Sequence, residues 1–359
     1  MKNLFLLSLL LFPNLDSVFL TTRESSSTPP NWDYLPVLRR FMEEDDLCYG
    51  RQKTVFSLDG EDYLYTQVLH EGEYEGYVLS KDDEFVQACL TEKDPVSDYD
   101  ARYYFDGFLL LDEAKPRSMP EHLDVTASGT LGRKGVARRA EEPFYPEHYP
   151  SVSSSVTYYS WTDTGSDYSQ FYWLNDVPEY YWSYGCSPTA AAMLTSFLDR
   201  YCSDFSGLYD GLLPLKTPIP EDFYDPYPND VRVQAAISEL AQIFQTDSEG
   251  VTLSTRIPGG LENLFRERGI DDYYVKVSNN FVFYSNLIKK CRLPVLMGIK
   301  TDQTSFIMDH TVLSYGIVYR PSQSVPDIIA HSTWASHPGN YFFSCSDAWE
   351  FYYVTNVGY

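Results

Sequence analysis

Apolar and polar positions follow two regimes along this chain, one of alternation and one of helical spacing. Between Trp32 and Glu113 short runs rich in aromatic and β-branched residues predict strands over Thr54 to Leu58, Tyr63 to Val68, Tyr77 to Leu79, Phe85 to Leu90 and Tyr103 to Leu111. Asp59-Gly60 and Glu71-Gly72 mark turns between them. A short helix precedes the strands, since Val37, Leu38, Phe41 and Met42 share one face. Past Val156 the spacing predicts helices over Pro188 to Tyr201, Val231 to Phe244 and Gly259 to Arg268, with strands dominant after Tyr273. Helices first and strands later predict an α+β domain over 156–359, a helical half and an antiparallel β half meeting at a cleft. A smaller β-rich domain over 32–113 stands in front of it.

The connecting segment, 114–155, has no periodicity, five prolines from Pro116 to Pro150, and the basic residues Arg133, Lys134, Arg138 and Arg139. It reads as a linker, either an exposed processing site or a plain surface connection. At the N-terminus Lys2 is followed by an apolar run from Leu4 to Phe12, broken at Pro13, so residues 1–22 read as a secretory signal. The run is too short to cross a bilayer, which takes about 20 residues. Nothing like A-x-A occurs between Asp16 and Ser27, which leaves a buried N-terminal strand as the alternative. The expectation is a secreted or extracytoplasmic protein with no stable membrane insertion after signal removal.

Charge narrows the partners. A net charge of −24 opposes nucleic-acid binding, which needs clustered Lys and Arg to displace counterions, and it opposes anionic membranes too. The chain has six cysteines, too sparse for a disulfide scaffold, with Cys48 and Cys89 a candidate bridge inside the first block. No C-x-x-C pair exists and the histidines are scattered, so no metal site and no cofactor are expected.

The chemistry concentrates in two segments. In Tyr184-Gly185-Cys186-Ser187-Pro188-Thr189-Ala190, the glycine permits a sharp turn and the proline suits a first helical turn. Cys186 therefore heads a buried helix, where the helix dipole favours a thiolate; a small buried apolar residue is the alternative. His310 begins the apolar run Thr311-Val312-Leu313-Ser314-Tyr315-Gly316-Ile317-Val318, and Leu293 to Ile299 reads as a neighbouring strand. A base delivered from a β half about 120 residues after the nucleophile fits this placement, a structural histidine at a strand end being the alternative. Asp327 to Trp334 predicts a further strand, joined to the first through the turn-rich Arg320 to Pro326. Such a hairpin brings its far end to His310, so His331 or Ser332 stands where a residue orienting the imidazole belongs.

Taken together, Gly185-Cys186-Ser187-Pro188-Thr189-Ala190, the preceding Asn175-Asp176-Val177-Pro178, the stretch Val233 to Gly269, Pro294 to Ile299 and the His310 strand resemble, in order, the bacteriocin-processing (C-thirty-nine-like) peptidases, a papain-like family. Glu75-Gly76-Tyr77-Val78-Leu79 and Tyr103 to Phe108 more weakly resemble the pro-domains of streptopain-like peptidases. The resemblance implies a papain-like cysteine peptidase acting on peptide or protein substrates through a thioester, with Cys186 as thiolate, His310 as imidazolium and the Cys186 backbone N–H as one oxyanion donor. Two positions depart from the family. No glutamine precedes the cysteine, leaving Trp182 or Tyr181 as the candidate second oxyanion donor, and neither Asn nor Asp occupies the orienter position. A transglutaminase-like or amidase acyl transfer uses the same residues, and a papain-like binding protein without activity accounts for the two departures.

Overall fold

The first four strands expected in the first block form, the run expected as one strand over Tyr103 to Leu111 is two short antiparallel strands, and the sheet they begin does not end with them. The computed structural model describes residues 33–57, 61–105, 110–112, 144–161, 170–216, 229–248, 250–299, 310–320, 326–333 and 339–357. The signal segment 1–22, the basic group from Arg133 to Arg139 and most of the 114–155 linker lie outside the described residues. Helix α1 (Leu35–Met42) leads into β1 (Cys48–Ser57), β2 (Asp62–His70), β3 (Glu73–Lys81) and β4 (Glu84–Leu90), an antiparallel meander. Two short strands follow, β5 (Tyr103–Phe105) and β6 (Leu110–Asp112), with β5 parallel to β1.

In the second block, β7 (Tyr158–Trp161) and β8 (Gln170–Leu174) precede the helices α2 (Cys186–Tyr201), α3 (Val231–Ile243) and α4 (Arg256–Glu267). Then come β9 (Tyr274–Ser278), α5 (Phe281–Asn286), β10 (Val295–Ile299), β11 (His310–Tyr319), β12 (Asp327–His331), β13 (Asn340–Ser344) and β14 (Ala348–Thr355). Each predicted helix and strand of the second block forms, within a few residues at its ends. The helices lie early and the strands late, so the molecule is an α+β protein with a large, mostly antiparallel sheet.

Where the sequence suggests a separate leading domain, the two blocks share one sheet. Its order is β6-β5-β1-β2-β3-β4-β13-β12-β11-β10-β14-β9, with β8 also paired to β11. The junction is the antiparallel pair β4 and β13, Leu90 opposite Asn340 and Gln87 opposite Phe343. The last four residues of β4, Gln87 to Leu90, are buried, and backbone amides and carbonyls buried there need partners; β13 supplies them. Gly339 lets the chains close at this point: its φ is +153°, and a Cβ there would stand 2.3 Å from the Leu90 carbonyl oxygen.

Two cores lie on opposite faces of the sheet, because neighbouring strand residues point opposite ways. Val78, Ala88, Leu296 and Phe342 pack with α1 and α2, whereas Tyr77, Cys89, Met297 and Tyr341 pack with Tyr284 and Ile288. Both cores draw residues from both blocks. A buried polar contact adds to them: the Tyr34 hydroxyl donates to Asp327 Oδ2 at 3.0 Å, and Arg320 Nε reaches the same oxygen at 2.8 Å. Cys48 and Cys89 are free thiols, as are the other four cysteines. They sit on β1 and β4, three strand spacings or roughly 14 Å apart, beyond the reach of a disulfide. Among the described residues no helix is long and apolar enough to cross a membrane.

Candidate functional site

Cys186 owes its position to the turn before it. Tyr184 and Gly185 both have positive φ, +57° and +135°, and a Cβ on Gly185 would lie 2.5 Å from the Gly250 carbonyl oxygen. Only glycine combines that backbone with that approach. Thr189 closes the turn from inside the helix, its hydroxyl 2.8 Å from the Gly185 carbonyl and accepting from the Ser183 amide at 3.1 Å. Asn229 holds the approach to it, accepting from the Tyr181 amide at 2.9 Å and donating to the Tyr181 carbonyl at 2.8 Å. Ser187 through Asp199 are all buried, and Ala190, Ala191 and Ala192 allow close packing on α3 and β11. The helix start is thus rigid, and its first amides have no intrahelical partner.

His310 opens β11, almost wholly buried at 1 % exposure. Its Nε2 lies 2.6 Å from the Ser332 carbonyl oxygen. That contact follows from register: Ser314 pairs with Ala330 and Leu313 with His331, so the residues just beyond β12 arrive beside Thr311 and His310. Thr333 has its Oγ1 3.2 Å from the same ring nitrogen. Thr311, next after His310, shares a hydrogen bond of 2.8 Å between its hydroxyl and that of Ser187, the second residue of α2. The two segments therefore meet through the residues that follow Cys186 and His310, Ser187 bonded to Thr311.

The electrostatics differ from the thiolate expectation. Burial pushes the Cys186 thiol above the ordinary range, while hydrogen bonds from Thr311, backbone and side chain, and from Ser187 pull it partly back. The partial charge at a helix start does not outweigh the desolvation of a sulfur anion here.

His331 and Ser332 divide the places offered to them. It is the Ser332 backbone carbonyl that meets the imidazole, while the His331 ring lies against Tyr315, centroids 4.6 Å apart, with Nδ1 3.8 Å from Glu179 Oε1. Burial holds His331 below its usual range, Glu179 opposing the shift, so it is neutral at neutral pH. Glu179 also reaches Lys216 Nζ at 3.4 Å, which leaves it pairing the pre-cysteine segment to two other elements. Of the residues ahead of Cys186, Tyr180 turns into the core and bonds Ser196 and the Pro214 carbonyl, both at 2.8 Å. Trp182 packs its ring against Gly250, where a Cβ would stand 2.9 Å from the indole.

Asn229, Thr311 and Thr333 carry no motif and were not singled out in the sequence. The alternation of β11 would place Thr311 beside a residue of interest, but nothing local marks its partners. Away from this site, Glu44, Asp46 and His70 bring their donor atoms within 4.8 Å of one another. His70 Nε2 is 3.0 Å from Asp46 and 3.6 Å from Glu44, both exposed, an arrangement accounted for as surface ion pairing in an acidic protein.

No protein-family model matches the chain, and no curated protein matches it significantly.

Proposed function

We propose that the protein is a cysteine peptidase hydrolysing peptide bonds through Cys186, with His310 as base and then acid. The observation that carries this reading is the 2.6 Å contact from His310 Nε2 to the Ser332 carbonyl. A carbonyl only accepts, so the neutral ring holds its proton on Nε2 and its basic lone pair on Nδ1. A buried imidazole committed to one tautomer, next in the chain to the residue bonded to the start of a cysteine-bearing helix, supports the reading of His310 as base with the Ser332 carbonyl as its orienter. On this reading α2 to α4 and the late antiparallel strands are the two halves of a papain-like domain. The apolar run from Leu4 to Phe12 supports export.

The desolvated thiol shapes the mechanism. Cys186 gives its proton to His310 Nδ1 as the sulfur attacks the scissile carbonyl carbon and the C=O electrons move onto oxygen. The Cys186 amide, which the helix does not use, receives that oxyanion. As the tetrahedral species collapses, the C–N bond breaks and the amine takes the proton from Nδ1, leaving a thioester. Water then attacks and gives its proton to Nδ1, and as the C–S bond breaks to release the acid that proton passes from Nδ1 to the departing sulfur, restoring the thiol and the neutral imidazole. Ser332 stabilises the imidazolium through the hydrogen bond it already accepts.

The test is alkylation by iodoacetamide with mapping of the labelled cysteine, alongside hydrolysis of an unfolded protein substrate. Selective reaction at Cys186 that rises with pH, together with hydrolysis lost in Cys186→Ala, supports the proposal. Equal slow labelling of several cysteines with no turnover in either protein sinks it.

A further inference from the structure

Left-handed backbone is uncommon for residues other than glycine, and for a β-branched residue it is a true outlier, because the crowded Cβ meets the neighbouring carbonyl. Thr333, two residues past the end of β12, has φ +60° and is buried. Strain of this kind persists only where the surroundings over-determine it, and it gathers at functional sites. What surrounds Thr333 is the imidazole of His310 and the backbone that holds it. The Oγ1 atom lies 3.2 Å from His310 Nε2, 2.6 Å from the Ser332 carbonyl oxygen and 2.9 Å from the Thr311 carbonyl oxygen.

A hydroxyl has one proton and two lone pairs. Its proton is shared between the Ser332 carbonyl at 2.6 Å and the Thr311 carbonyl at 2.9 Å, and in either position a lone pair of Oγ1 faces the Nε2–H that the Ser332 carbonyl also accepts. The ring proton is then bracketed by two oxygens from one turn of chain. Thr311 passes the constraint on, since its own hydroxyl is bonded to Ser187 at 2.8 Å. Valine, of the same shape, offers no such lone pair, and glycine would sit at this φ without strain but without a hydroxyl.

We propose that Thr333 is the positioning residue of His310, its hydroxyl and the Ser332 carbonyl together clamping Nε2–H and tying that clamp to Thr311. This builds on the reading of His310 as the base, but the geometry does not require Cys186 to react.

Nitrogen NMR of the full-length protein with labelled histidine tests it. The expected parent signal is a slowly exchanging Nε2 proton, assigned by its loss in His310→Gln. In Thr333→Val its exchange accelerates at least about tenfold, whereas Thr333→Ser, which keeps the hydroxyl, stays within about threefold of the parent. Should Thr333→Val fail to fold, Thr333→Gly, free of the backbone strain, carries the same expectation. An unchanged exchange rate in Thr333→Val, or in its glycine substitute, overturns the proposal, as does a parent without a protected Nε2 proton. Alkylation of Cys186 in the same samples separates the two ideas: a protected imidazole proton beside an unreactive Cys186 counts against the peptidase alone.

Discussion

The nucleophile end and the base end of the candidate site are held by different kinds of force. Around Cys186 the constraints are near in sequence: Gly185 makes the turn, Thr189 closes it four residues on from that glycine, and a helix buried from Ser187 to Asp199 anchors it. Around His310 they are distant. The orienting carbonyl arrives on β12, which is held by β13, which is held by β4 of the first block. Asp327, at the head of β12, is gripped by Arg320 and by Tyr34, 293 residues away. Arg320 in turn lies over the Phe85 ring at 4.5 Å, and Phe85 stacks on Tyr34 at 3.9 Å. The difference teaches that the first block is part of what holds His310, so damage far from the site should act through His310 before it acts through Cys186.

The largest effect expected is on turnover. His310→Ala should cut hydrolysis by about a thousandfold or more and, because the ring is buried and hydrogen-bonded, should also lower stability by roughly 2–4 kcal/mol; kinetics at a temperature where calorimetry shows the variant folded check both halves. Arg320→Ala strikes the base end from outside the site. It leaves the buried Asp327 carboxyl with only the Tyr34 hydroxyl and no charged partner, and should cost roughly 3–5 kcal/mol in denaturant unfolding. If instead the loss is under about 1 kcal/mol, as for an exposed pair, the long-range grip on β12 is not what holds it.

Gly185→Ala strikes the nucleophile end. A left-handed φ and a collision with the Gly250 carbonyl predict a loss of roughly 2–3 kcal/mol, with selective alkylation of Cys186 lost at temperatures where the protein remains folded. Smaller again is the pH dependence. Burial lifts the Asp327 and Asp347 carboxyls to about 6, although Arg320 opposes the shift at Asp327 and Ser346 opposes it at Asp347. A carboxyl whose folded value is raised stabilises the fold fully below its unfolded pKa near 4, and that contribution is lost as pH rises through about 6. Unfolding free energy should therefore fall between those two pH values, and Asp347→Asn should flatten the slope; a parent whose stability rises across that window contradicts the buried-carboxyl account. Smallest is Ser187→Ala, which removes the bond to Thr311 and should cost about 1 kcal/mol, with a modest slowing of Cys186 alkylation.

Much of the architecture was legible because it depends on short-range patterns. Helical spacing from Pro188 to Tyr201 and the apolar runs at Leu293 and Thr311 return as α2, β10 and β11. The hairpin argument brings the end of β12 to His310, since antiparallel register follows from alternation once the turn is known. Register alone does not distinguish His331 from Ser332, and the atom on the imidazole is a main-chain oxygen, which every residue carries and no composition reveals. Thr333 was equally silent. Nothing in its neighbours announces a left-handed threonine, because that backbone is imposed by contacts against its own preference.

What the sequence determined by itself is therefore the local chemistry: a cysteine at a glycine-set helix start, a histidine at a strand head, and the secondary structure that carries them. Only the tertiary structure decided that the blocks share a sheet, that a carbonyl and a strained hydroxyl meet the imidazole, and that desolvation opposes ionisation of the thiol. Strand partners across hundreds of residues, backbone acceptors and desolvation are properties of what surrounds a residue in space, and a linear pattern encodes its neighbours only along the chain.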